Sequence, residues 1–166
     1  MNIALIGMPG SGKTTVGKEL KKILKNYSYF DTDEEIVRFE NRSINEIFAK
    51  DGEAYFREVE TKVLFDILKN DNQIISTGGG IVKSEKNVKE LKEKAFTIYL
   101  KTDCETLYKR VKSNKERPLL NDKDVFEKIK TLLTERETLY ENAASKIIET
   151  SNKTSKEIAA EIARNL

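Results

Sequence analysis

The sequence predicts an α/β fold, a parallel sheet with helices on both faces, and three observations predict it. Short apolar runs alternate with helical periods of three and four residues along the chain. Such alternation lays strands side by side and sends the crossovers over the sheet faces. Directly after the first run comes Gly7-Met8-Pro9-Gly10-Ser11-Gly12-Lys13-Thr14, a complete G-x-x-x-x-G-K-[ST] loop in the strand–loop–helix setting that motif requires. Finally, 166 residues with 38% apolar and 35% charged side chains suit one domain with a sizeable core and a wet surface. No repeat, low-complexity tract or linker divides the chain, so residues 1–166 are expected to form a single domain.

The first strand is expected at Asn2–Ile6 and the first helix along Val16, Leu20, Ile23 and Leu24. Between them, the glycines let successive N–H groups converge on an anion, and the helix adds its positive end. Gly10, Ser11, Gly12, Lys13, Thr14 and Thr15 are therefore the candidate phosphate-binding residues. Lys13 is suited to the β- and γ-phosphates and the Thr14 hydroxyl to Mg²⁺. The implied ligand is a nucleoside triphosphate.

The second strand, Ser28–Asp31, runs into Asp31-Thr32-Asp33. If the strand continues, the two carboxylates share a face, where paired acids suit magnesium positioning and acceptance of a hydroxyl proton. Asp-x-Asp also suits a turn and a helix cap; its place at the carboxyl end of a strand favours the site. Glu34 to Lys69 then reads as a helical insertion, capped at Ser43 and Glu46 and broken at Asp51-Gly52. In it Arg57 lies in line with Glu60, Leu64 and Leu68, and Glu60 is spaced to orient it.

The third strand, Gln73–Ser76, ends in Thr77-Gly78-Gly79-Gly80, where bare backbone permits close approach of a small molecule. A simple loop is the alternative. The fourth strand is expected at Phe96–Leu100, followed by a helix start with Thr102 and Glu105 at capping-box spacing. Ser113 to Asp124 is polar, carries Arg117-Pro118 and separates two helices, which suggests a lid over the nucleotide. On the next helix Arg136 falls on the apolar stripe of Ile129, Leu132, Leu133 and Tyr140, so it points inward and needs an anionic partner. Two inward arginines suggest an anionic substrate, although structural ion pairs would also place them there. The last strand is Lys146–Glu149, and Thr154 with Glu157 caps a terminal helix along Ile158, Ile162 and Leu166.

Composition removes several chemistries. The chain has no histidine, so any general base is a carboxylate, lysine or tyrosine. The single Cys104 forms no intrachain disulfide and suits a reducing cytoplasm. A net charge of +2, from 30 basic and 28 acidic residues, gives no nucleic-acid footprint. No apolar run approaches the ~20 residues of a membrane span, and the N-terminus has no signal pattern.

Read together, the phosphate loop with Thr15-Val16-Gly17, Phe30-Asp31-Thr32-Asp33, Ile47-Phe48 through Gly52-Glu53 to Phe56-Arg57, Ser76 to Gly80, Arg117-Pro118-Leu119-Leu120, and Arg136 with Tyr140 and Ala143 form an ordered set. That set resembles the shikimate kinase family over nearly the whole chain. The resemblance implies a P-loop nucleoside-monophosphate-kinase-like fold. Its parts are a five-stranded parallel sheet flanked by helices, a substrate-binding insertion at about 33–60 and a lid at about 113–124. It implies ATP and Mg²⁺, with shikimate as the phosphoryl acceptor. By position, Asp33 would bind the ring hydroxyls and take the proton, and Asp31 would join Thr14 at the magnesium. Arg57 and Arg136 would clamp the carboxylate, with Gly78, Gly79 and Gly80 against the substrate. Lys13 and Arg117 would act on the phosphates, Arg110 would lie over adenine, and Asn152 and Lys153 would flank it. Thr14 stands where the family often has Ser, and the segment before Arg117 lacks glycine. A monomer in the cytoplasm is expected, with no nucleic-acid or membrane partner. The alternatives are a gluconate kinase-like sugar-acid kinase and a non-catalytic nucleotide switch. A guanine-specific switch would carry Asn-Lys-x-Asp, and neither Asn114-Lys115 nor Asn152-Lys153 is followed by that aspartate.

Overall fold

The structure is a computed structural model, and it describes residues 1–113 and 122–166. Five strands form one parallel sheet in the order β2-β3-β1-β4-β5. They are β1 Asn2–Ile6, β2 Ser28–Asp31, β3 Gln73–Ser76, β4 Ala95–Lys101 and β5 Lys146–Glu149. The helices are α1 Lys13–Ile23, α2 Thr32–Glu40, α3 Ile44–Ile67, α4 Glu85–Lys94, α5 Cys104–Lys112, α6 Asp122–Ala143 and α7 Ser155–Arg164.

The central strand shows why the sheet is covered on both sides. Every residue of β1 is buried, and successive side chains point to opposite faces. Ala4 and Ile6 join a core with Ile75, Tyr99, Leu64 and Tyr140, while Ile3 and Leu5 join one with Leu20, Ile74, Ile98 and Ile158. Helices α3, α4 and α6 therefore close one face, and α1 and α7 the other.

The chain leaves β1 for α1, builds β2 and β3 on one side, then crosses to β4 on the other. The carboxyl end of β1 is thus the point where the winding reverses, and in such sheets ligands collect there. Register aligns the exits from three strands, with Leu5 opposite Ser76 and Ser76 opposite Asp31. The phosphate loop, the Asp31–Asp33 turn and the triple glycine all emerge at one edge.

Two local expectations change. β2 stops at Asp31, which becomes the N-cap of α2 and accepts from the Asp33 and Glu34 N–H groups, so Asp33 lies in the first helical turn rather than on a strand face. The cap of α5 is Asp103, accepting from Thr106 N–H, and not Thr102. The Thr102 hydroxyl is buried and bonded to that of Thr150 at 2.5 Å. The insertion is two helices, and α3 is broken at Gly52, whose φ of 83° and ψ of 174° are non-helical. Ser43 caps α3 through Glu46 N–H, and Thr154 and Glu157 form a full capping box on α7. No helix among the described residues is long and apolar enough to cross a membrane.

Candidate active site

The loop between β1 and α1 reaches its helix through Gly12, the N-cap, held left-handed at φ 94° and ψ 15°. A side chain is strained in that conformation, so glycine belongs there. No side chain caps α1 and no acid lies in its first turn, which leaves the N–H groups of the turn for an anion. Lys13 is 8% exposed and donates to the Gly7 and Met8 carbonyls at 2.8 and 2.9 Å. Burial pulls its ammonium pKa down to about 8, against the pull of the Asp33 and Asp31 carboxylates and with a further push from Arg136.

A cleft of about 820 Å³ opens over this loop. Gly10, Ser11, Gly12, Lys13, Thr14 and Thr15 all line it, as do Asp31, Asp33, Gly78 and Gly79. The Asp31 carboxylate divides its work. One oxygen caps α2, while the other accepts the Thr14 hydroxyl at 3.0 Å. Burial is the main cause of a raised Asp33 pKa, Asp31 adds to it, and Lys13 and Arg57 oppose it.

The triple glycine is a packing requirement. A Cβ on Gly78 would stand 2.9 Å from both Asp33 Oδ1 and Glu60 Oε2. One on Gly79 would meet Pro9 of the phosphate loop at 2.7 Å, and one on Gly80 would overlap the Arg57 guanidinium. Each glycine thus lets a different functional group close in. Thr32 Oγ1 takes the Gly78 N–H at 2.9 Å, and the Tyr140 hydroxyl donates to the Gly79 carbonyl at 2.5 Å.

Arg57 is 23% exposed and donates to Glu60 Oε1 at 2.8 Å. Glu60 is 1% exposed; burial raises its pKa, Arg57 opposes that rise, and its Oε2 has no hydrogen-bond partner among the described residues. Arg136 is half-buried at the rim of the core, where its guanidinium faces the Tyr140 hydroxyl. The predicted pair of inward arginines therefore divides: Arg57 has a carboxylate partner, and Arg136 faces a phenol.

On the nucleotide side, Arg110 donates to the Gly10 carbonyl at 2.9 Å and lines the cleft. Lys153 also lines it and pairs with Glu161 at 2.6 Å, whereas Asn152 is exposed and not part of the lining. Arg117 and most of the expected lid at 113–124 lie outside the described residues. Sequence reasoning had no local signal for the Tyr140–Gly79 bond or the fit of Pro9 to Gly79. The spacing of Tyr140, one turn after Arg136, was the available hint.

A phosphate loop at the switch point, with an acid pair and a glycine turn lining the same cleft, defines a P-loop phosphotransferase acting on a small acceptor. The comparisons agree. The family profile described as Shikimate kinase matches residues 9–166. The chain is 47% identical over 156 residues to a shikimate kinase of Clostridium botulinum, covering 93% of this chain and 91% of that one. Its fold superimposes on the shikimate kinase of Acinetobacter baumannii in complex with shikimate with a TM-score of 0.91 and 36% identity, over 99% and 91% of the chains. The Aquifex aeolicus shikimate kinase gives 0.86 and 40%, over 99% and 95%. The chain belongs to the shikimate kinase family, and it is an ATP-dependent small-molecule kinase.

Proposed function

We propose that the protein transfers the γ-phosphoryl group of ATP to the 3-hydroxyl of shikimate, giving shikimate 3-phosphate and ADP. The observation that carries this reading is the convergence of Lys13, Asp33 and the glycine turn on one cleft, with Arg57 packed against Gly80. Asp33 accepts the hydroxyl proton as the oxygen bonds to the γ-phosphorus and the bond to the β-bridging oxygen breaks; the proton then leaves to water. Burial favours the protonated carboxyl of Asp33, which suits a group that must receive a proton. Lys13 and the free amides of α1 hold the phosphates. Arg57 and Arg136 grip the substrate carboxylate, and Arg110 and Lys153 flank the base.

The residues present fit Mg²⁺. Thr14 and Asp31 offer two hard oxygens 3.0 Å apart beside the phosphate loop, the small protein share of a metal that keeps waters and phosphate ligands. When bound, the ion supplies charge neutralisation at the transferring group. In this reading the enzyme is a cytoplasmic monomer without nucleic-acid or membrane partners, and α2 with the first half of α3 serves as the substrate-binding element. The test is a coupled ADP-release assay on shikimate, gluconate and nucleoside monophosphates. Turnover is expected with shikimate alone; faster turnover with gluconate or a nucleotide would replace the reading.

A further inference from the structure

We infer that Tyr140 is a positioning residue for the acceptor, its hydroxyl tying the substrate-facing turn after β3 to the arginine side of α6. The inference rests on the reading above that Arg136 and the glycine turn bind the acceptor. Tyr140 is fully buried, and its ring stacks on Tyr99 of β4 with centroids 5.0 Å apart and planes 26° apart. A ring held between a sheet and a helix keeps its hydroxyl in one place.

That hydroxyl has one proton and two acceptor lone pairs. The proton goes to the Gly79 carbonyl at 2.5 Å, across 61 residues of chain. The lone pairs face the guanidinium of Arg136, one helical turn back. A single oxygen thus bonds the glycine turn and lies in the field of the second arginine.

The rest of the turn explains why the tie matters. The Gly78 N–H goes to Thr32, the Gly78 carbonyl accepts from Ile81 N–H at 3.1 Å, and the Gly80 carbonyl accepts from Lys83 N–H at 3.1 Å. Once Tyr140 takes the Gly79 carbonyl, the Gly79 and Gly80 N–H groups remain without partners among the described residues. The Gly79 carbonyl and the Gly80 N–H belong to the same planar, trans peptide unit and point in opposite directions. Drawing the carbonyl toward α6 therefore turns the Gly80 N–H away from α6. Two adjacent glycines are soft to rotation and would not hold that plane by themselves.

Tyr140→Phe keeps the ring and its stacking and removes only the oxygen. The shikimate KM is expected to rise about 10-fold, the scale of one lost hydrogen bond, with the ATP KM unchanged. A shikimate KM equal to wild type overturns the inference. So does an Arg136→Lys, Tyr140→Phe double variant whose KM change equals the product of the single changes, because coupled residues depart from it. Amide NMR of the ligand-free enzyme reads the tie without any substrate. The Gly79 and Gly80 amide resonances should shift in Tyr140→Phe; unchanged chemical shifts overturn the positioning role. If wild type itself ignores shikimate while these resonances move, the substrate assignment fails and the positioning role stands.

Discussion

Lys13 carries opposite demands in one side chain. Without a nucleotide its ammonium is buried away from water, which pulls its pKa down to about 8 even though it donates to two carbonyls. Phosphates restore an anionic partner and draw the proton back. Below pH 8 the free enzyme already carries the charge; above it, each nucleotide bound must capture a proton. The ADP Kd, measured without metal, should therefore weaken by up to about 10-fold per pH unit above 8. Calorimetry in buffers of different ionisation enthalpy should register proton uptake. Stability of the empty enzyme moves the other way. The unfolded chain, with the ordinary lysine pKa of 10.5, binds more protons between pH 8 and 10.5, so this residue makes the fold more stable as pH rises through that window. An ADP Kd flat from pH 7 to 9.5 would mean that Lys13 stays charged without its ligand.

The broken helix α3 is the element whose sequence signal and backbone agree most closely. Gly52 lies where only glycine is comfortable, and a Cβ there would meet nothing within 4 Å. The cost of Gly52→Ala is thus conformational, about 1–3 kcal/mol for such a region, with Tm falling roughly 2–4 °C per kcal/mol in a chain of this length. Urea unfolding should show the loss with an unchanged m-value, and wild-type stability would mean the break relaxes into helix. Phe48 and Phe56 pack across it with ring centroids 4.7 Å apart, so the bend aims both halves of α3 at one core. Breaks, caps and β-branched strands were legible because each is written in a few adjacent residues. Four strands keep both of their expected bounds, and β4 gains one residue at each end. Thr102 misled because its hydroxyl answers to Thr150, 48 residues away. Asp31 misled because a helix cap ended the strand that was to carry Asp33. The phosphate loop and the acids were legible as local motifs. What each glycine of the turn faces was not, since Asp33, Pro9 and Arg57 reach it only through sheet register and packing.

At the scale of the whole molecule, the proposed function assigns the nucleotide to the side of the site carried by α1, α5 and α7, and the acceptor to the side carried by α2, α3, the glycine turn and α6. They meet where Pro9 packs on Gly79. Halves carried by different elements should be separable by mutation, and Arg136 is the place to test it. Two clustered arginines suggest that Arg136→Met would relieve repulsion and stabilise the empty enzyme. The structure alters that expectation, because Arg57 is already neutralised by buried Glu60, which also feels the field of Arg136. Removing Arg136 takes a favourable cation from Glu60 while sparing Arg57 a like charge, so ligand-free Tm should change little. Shikimate at about 100 times its Kd should stabilise wild type by about 2.7 kcal/mol, a Tm rise of roughly 5–10 °C. In Arg136→Met the shikimate shift should vanish while the ADP shift persists, since Lys13 and the amides of α1 are untouched. A methionine variant that melts far below wild type yet keeps its shikimate shift would make Arg136 a structural residue and leave Arg57 alone on the carboxylate.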